Sequence, residues 1–245
     1  MSRSPVNRRD PSGTRKIERE EIARQREVIR AYTEAMARVA TGDSPEREET
    51  LRRLGASLSD DLAQASDDWM VRTEEATVRT SDRVLNNLHT GIKLGNVRIP
   101  REEVEMLRMN IRENVRSVGN DLLKDVTRLV AEGYQNGWGA DQTARAIQEA
   151  GDYQVKHAST IVRTETMRIC DVVAKARYDA AGCDGYLSFP TDDDRLCEHC
   201  VRQATGGNGY TLKVYGLEEP MALPWHPNCR CCRIPHFPDQ EAITI

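Results

Sequence analysis

Aromatic and apolar residues are scarce in this chain of 245 residues: 5% are aromatic and 38% hydrophobic, against roughly 45–50% apolar in ordinary soluble domains. The shortage excludes a thick compact core and predicts exposed amphipathic helices, or helices that need a partner. Long apolar runs are missing too. No stretch approaches the roughly 18 consecutive apolar residues of a membrane span, and the start lacks the apolar segment of a secretory signal. Synthesis in a cytoplasm and no membrane contact are therefore expected. A surplus of one charge sign is also absent, since 35 Lys+Arg stand against 39 Asp+Glu. The average thus lacks the electrostatic footprint of a dedicated duplex-DNA binder. The clearest basic patch is Arg3, Arg8, Arg9, Arg15 and Lys16, interrupted by Pro5, Pro11 and Gly13. It reads as a solvated, disordered tail over residues 1–16 rather than as a nucleic-acid arm.

Helical periodicity dominates what is there. Ile22, Val28, Ile29, Tyr32, Met36 and Val39 predict a first helix from Ile17 to about Ala40. Ser44-Pro45-Glu46-Arg47-Glu48 supplies an N-cap, a proline for the first turn and acidic first-turn residues, opening a second helix through Leu51, Leu54 and Leu58. Ser57 to Ile92 reads as one further long helix or two short ones, so residues 17–97 form an N-terminal helical region. After Pro100, Val104, Leu107, Ile111, Val115, Val118, Leu122, Val126 and Leu129 alternate steps of three and four. This seam predicts one long helix, buried in a bundle rather than in a free coiled coil, ending near Gly133 or Gly137. Asn136-Gly137-Trp138-Gly139 is a break, followed by a short helix through Ala144, Ile147 and Ala150 and another from about Tyr153 to Ala181. Residues 98–182 thus make a bundle of long helices.

The last of these helices carries the stripe Ala158, Val162, Ile169, Val172, Ala176 and Ala180, in which Glu165 occupies an apolar position. A carboxylate there must find a partner or raise its pKa. Arg168 is the local candidate, and Arg163, Thr164 and Glu165 are expected to form a buried polar clamp. A catalytic acid would need a second catalytic group, and none is identifiable nearby.

After Gly182 the texture changes to Gly185-Tyr186-Leu187-Ser188-Phe189, then to turns and a strand-like run at Tyr210–Tyr215. Residues 183–245 are expected to be a small α+β module with too few apolar residues for its own core, hence in need of a staple. Seven cysteines is an odd number, and five of them crowd here: Cys197, Cys200, Cys229, Cys231 and Cys232. Metal binding explains this better than a disulfide framework. Cys197-x2-Cys200 offers two thiolates from a tight turn, and His226-x2-Cys229-x-Cys231 can complete a tetrahedral site of nitrogen and sulfur donors suited to structural Zn²⁺. Cys197, Cys200 and Cys229 are the leading ligands, with His226 and Cys231 competing for the fourth position. His199 is expected to point away, Cys232 to be excluded by its neighbour Cys231, and Cys170 and Cys183 to be reduced, buried thiols. The expected fold class is mainly α: an elongated bundle of long helices with a zinc-stapled C-terminal module.

Three pieces in order, Ile161-Val162-Arg163-Thr164-Glu165-Thr166, Asp194-Arg195-Leu196-Cys197-Glu198-His199-Cys200 and His226-Pro227-Asn228-Cys229-Arg230-Cys231, give the C-terminal half a resemblance to a known family. It resembles the phage head morphogenesis proteins, the Mu F-like minor head (minor capsid) proteins, over about residues 120 to 235. Where family members often carry a Trp before the Asp-and-Cys motif, this chain has Tyr186 and Phe189. The resemblance implies a virion protein of low copy number, in multiple copies around the portal protein at the head vertex and assembled in the host cytoplasm. It would contact the major capsid protein and packaged DNA and serve head assembly, DNA packaging or delivery. Some members carry a fused toxin or ADP-ribosyltransferase domain, for which the short stretch after the motif leaves no room, so no enzyme is expected.

Two other classes compete. A nuclease of the HNH type would need a histidine base and ligands for a second, hydrated cation, and no separate Asp-His pair lies between the knuckles. A zinc-ribbon nucleic-acid module would use Arg195, Arg202, Lys213, Arg230 and Arg233 on phosphates. Asp192, Asp193, Asp194, Glu198, Glu218 and Glu219 offset them.

Overall fold

The computed structural model describes residues 14–88, 97, 101–190 and 196–238. The expectations for residues 1–13 and for Asp192, Asp193, Asp194 and Arg195 lie outside the described residues. Among those described, the elements are α1 (Thr14–Thr41), α2 (Arg47–Leu88), α3 (Arg101–Asn136), α4 (Ala140–Ala180), β1 (Gly185–Phe189), α5 (Glu198–Thr205), β2 (Val214–Gly216) and β3 (Cys232–His236). Mainly helical with a small C-terminal sheet, the chain has the expected fold class. Arg15 and Lys16 already belong to α1.

Two compact units emerge, each assembled from separate stretches of chain. One gathers the described parts of Glu18–Trp69 and Met106–Val162. Of the expected α3 seam, Leu107, Ile111, Val115, Val118, Leu122, Val126 and Leu129 are buried here, whereas Val104 is half-buried. Small residues let the helices approach closely: a Cβ on Gly119 would lie 2.3 Å from Ser59 Oγ, and one on Gly151 would lie 2.4 Å from Thr33 Oγ1. Gly151 sits inside a continuous α4, where a short helix and a second helix were expected; its role is close approach to α1, not chain breaking. The expected break at Asn136–Gly139 is present, with Gly137 at φ 68° and the Trp138 N–H closing α3 on the Gly133 carbonyl at 2.9 Å.

In α2 one helix runs through the position where a second was expected to begin. No glycine or proline interrupts residues 56–88, and Leu58, Leu62, Trp69, Ala76 and Leu85 keep a continuous buried face. Buried hydroxyls on that face turn back to the preceding turn, as Ser66 Oγ does to the Ala63 carbonyl at 2.6 Å and Thr77 Oγ1 to that of Thr73 at 2.8 Å. Such bonds let polar side chains be buried without orphaned donors.

The other unit takes in the described parts of Met1–Ile17, Met70–Glu105 and Arg163–Ile245. Its sheet has the order β2-β1-β3, with β1 antiparallel to both neighbours. The central strand is buried on both faces, which is why Gly185–Phe189 shows no polar alternation. β3 was not among the expected strands; its Pro235 cannot donate to a ladder, and the edge position tolerates that. In this part of α4 the buried positions are Ile169, Val173, Ala174 and Tyr178, whereas Val172 and Ala176 are half-buried and Ala180 is exposed. The expected stripe is displaced because Asp171 and Arg177 also turn inward, each to an ionic partner: Arg233 on β3 and Asp82 on α2.

Candidate metal centre

The first knuckle is a helix start rather than the tight turn expected. Cys197 is the N-cap of α5, in extended conformation, and its Sγ accepts the Cys200 N–H at 3.4 Å. A separation of three residues across a helix N-terminus puts both sulfurs on one side. The Cys200 N–H favours the charged sulfur and lowers the Cys197 pKa from its ordinary value.

The second knuckle is a turn written in its sequence. The Cys229 N–H bonds to the His226 carbonyl at 3.0 Å, so His226-Pro227-Asn228-Cys229 is a β-turn. Proline fixes a negative φ at the second position and Asn228 takes φ 61° at the third, which together define type II. The turn brings its two ends, His226 and Cys229, together. Beyond it the chain extends toward β3, so Cys229 and Cys231 lie two residues apart, both buried, while Cys232 belongs to the ladder opposite Phe189. Burial pushes the Cys232 thiol up to about 11, as befits a neutral strand residue.

The knuckles converge. His226 Nε2 lies 3.3 Å from Cys197 Sγ and 3.1 Å from Cys200 Sγ, and Cys200 Sγ lies 3.8 Å from Cys229 Sγ. Cys197, Cys200 and His226 form one group of potential ligands, and Cys200, Cys229 and Cys231 another. Donors on a tetrahedral zinc-type ion would stand about 3.8 Å apart for two sulfurs and about 3.5 Å for sulfur and nitrogen. A disulfide needs about 2.05 Å, and all seven cysteines are free. The five residues singled out from the sequence therefore come together, in two groups sharing Cys200, and the donor set fits a metal ion.

Protonation supports that fit. His226 Nδ1 lies 2.7 Å from the Pro227 carbonyl; a carbonyl only accepts, so Nδ1 carries the proton and Nε2 presents its lone pair to the sulfurs. Burial lowers the His226 pKa, but the Pro227 carbonyl and the Cys229 and Cys197 sulfurs outweigh it, and the net shift is upward. A hydrogen bond from Cys231 holds the Cys229 thiol down at about 5, whereas burial drives Cys200 up to about 12. Cys231 is raised, first by its bond to Cys229 and then by burial. Close-packed sulfurs of which two, Cys197 and Cys229, are held below the ordinary thiol value make an environment that a cation relieves.

The remaining expected residues fall around this centre. Thr164 Oγ1 accepts the Asn228 N–H at 3.1 Å. Glu165 is buried, with Arg168 Nε 3.0 Å from its carboxylate, and Arg163 is half-buried beside them. The His199 ring stands edge-on to His226 with centroids 6.0 Å apart, and His236 pairs with Asp184 at 2.7 Å. Cys183 is buried and pushed up to about 11 by that burial, and Cys170 Sγ lies 3.2 Å from Thr77 Oγ1. Two of the cations considered for phosphate contact are engaged elsewhere. Arg233 is buried in a two-point pair with Asp171 at 2.7 and 3.0 Å, and its guanidinium lies 4.4 Å from the Tyr186 ring centroid. Lys213 pairs with Glu219. Sequence reading missed Asp171, because a lone acid beside an apolar stripe carries no periodic signal. It also missed the Trp225 Nε1 bond to Ser188 Oγ at 3.1 Å, which ties the second knuckle to β1.

Comparison with protein-family models, with curated proteins and with solved structures found no match to the chain.

Proposed function

We propose that the cluster holds one structural zinc ion through Cys197, Cys200, Cys229 and His226, with Cys231 as the adjoining thiol. We further propose that the chain is a minor head protein of a tailed virus. In this reading it sits with the portal protein and acts in head assembly, DNA packaging or delivery by binding rather than catalysis. The observation that carries the proposal is the meeting of the three resemblance-bearing pieces: Thr164 of the first bonds to Asn228 of the third, and Cys200 of the second lies against His226 and Cys229 of the third. Motifs scattered over about 70 residues thus serve one centre.

Sulfur and imidazole donors favour zinc over calcium or magnesium, which take oxygen. Bound there, zinc supplies a cross-link between the α5 start and the His226–Cys229 turn, and four protein donors leave no position for substrate water. The nuclease alternative fares poorly because both ring nitrogens of His226 are engaged, Nδ1 with Pro227 and Nε2 with the sulfurs. Mass spectrometry of purified heads of the virus that encodes the chain should detect it at low copy number, and heads assembled without it should package or deliver less DNA. Heads that never contain it would overturn the assignment.

A further inference from the structure

The loop that carries His226, Cys229 and Cys231 is held by one helix at three points. At its base, the Asp171 carboxylate accepts the Leu223 N–H at 3.4 Å and the Arg233 guanidinium at 2.7 and 3.0 Å. Arg233 also donates to the Met221 carbonyl, so the two strands of the loop's neck are joined through a single buried charge pair. At its tip, Thr164 Oγ1 accepts the Asn228 N–H. Asp171 and Thr164 are seven residues apart on α4, two helical turns or about 10 Å along one face. The tip bond has a particular consequence. In a type II turn the N–H of the third residue has no partner within the turn, and Asn228 is that residue, lying between His226 and Cys229. Its acceptor therefore fixes the orientation of the peptide that separates two of the proposed ligands.

We propose that Thr164 and Asp171 are positioning residues for the metal centre: they hold the His226–Cys231 segment in its ligating conformation before the ion arrives. The inference rests on the reading of the cluster as a metal site. Neither side chain touches the ion; each acts through the backbone that presents the ligands. Groups that orient ligands in this way typically change metal affinity by about 10–100-fold when removed.

The test uses the full chain, stripped of metal, with Zn²⁺ affinity measured by competition against a chromophoric chelator and Co²⁺ absorption as a reporter of ligand geometry. Thr164→Val, which keeps the shape and loses the acceptor, should weaken Zn²⁺ binding about tenfold and alter the Co²⁺ spectrum, while unfolding of the metal-free chain stays as in the parent. Thr164→Ser should restore both. Thr127→Val removes a hydroxyl that bonds within its own helix, to the Leu123 carbonyl, and should leave affinity unchanged. Asp171→Asn keeps an acceptor for Leu223 but weakens the Arg233 pair; if it folds, its affinity loss should exceed that of Thr164→Val. Should it fail to fold, the valine and serine variants still decide the matter. A parent that binds Zn²⁺ with Thr164→Val binding it equally well would overturn the positioning role alone. A folded parent that binds no Zn²⁺ would overturn the metal reading and this inference with it.

Discussion

At the scale of single residues, burial decides which groups keep their protons. Cys183 sits in the apolar cluster with Tyr178, Tyr186 and Phe237, and burial, helped by the Asp179 carboxylate, pushes its thiol up to about 11 from an ordinary value of 9.0. A group whose folded pKa is raised favours folding while it is protonated, so this contribution is complete below about pH 9. It is lost as pH rises through 11, because the unfolded thiol ionises first. Urea unfolding at pH 8 and pH 10 should show the parent losing about 1–1.5 kcal/mol more than Cys183→Ala over that interval. Equal losses would mean that the thiol is solvated. Burial raises the Asp171 pKa as well, but there the Arg233 guanidinium opposes the rise, and each member of the pair supplies hydrogen-bonding capacity the other needs.

At the scale of elements, close approach replaces bulk. Gly119 of α3 lies against Ser59 of α2, where a Cβ would meet not only the hydroxyl but the Ser59 backbone nitrogen at 2.9 Å. Gly119→Ala should therefore lower stability by about 1–3 kcal/mol, although alanine on an open helix stabilises by about 1 kcal/mol relative to glycine. Thermal or denaturant unfolding that shows a gain would mean that α2 and α3 have room to separate there. The same packing explains what was legible in the sequence. The α3 seam could be read directly because Leu, Ile and Val mark it. The unbroken run of α2 could not, because Ser59, Ser66, Thr73, Thr77 and Ser81 share its buried face with the apolar residues and look like solvent positions. Nor could the continuity of α4 across Gly151, a glycine that serves close approach to Thr33. At the centre, the His226–Cys231 stretch was legible as a ligand-bearing knuckle but not as a type II turn, and α5 was hidden: its cap is a cysteine, and it runs only eight residues. β3 was hidden by its proline, and the reach of Asp171 across 62 positions to Arg233 has no local signature at all.

For the molecule as a whole, the scarcity of apolar residues is met differently in the two units. One relies on interlocked helix faces with small residues at the contacts. In the other, a three-stranded sheet with a five-residue central strand is surrounded by polar ties: Asp171 to Arg233, Trp225 to Ser188, and Thr164 to Asn228. It also contains the cluster of four cysteines and a histidine. A zinc ion there would contribute folding free energy directly, since the site is assembled only when both knuckles are in place. The all-helical unit would then persist without metal, while in the other unit the α5 start and the His226–Cys229 turn would lose their cross-link.

The most direct test is metal content by mass spectrometry on protein purified without added metal, for the intact chain and for Cys197→Ser, alongside fluorescence of Trp225, which adjoins His226, read in a Trp69→Phe, Trp138→Phe background. One zinc per chain, lost in the variant together with a changed Trp225 environment and little change in helix content, is the predicted result. A folded chain that carries no metal, or a Cys197→Ser variant that keeps its zinc unchanged, would contradict the account.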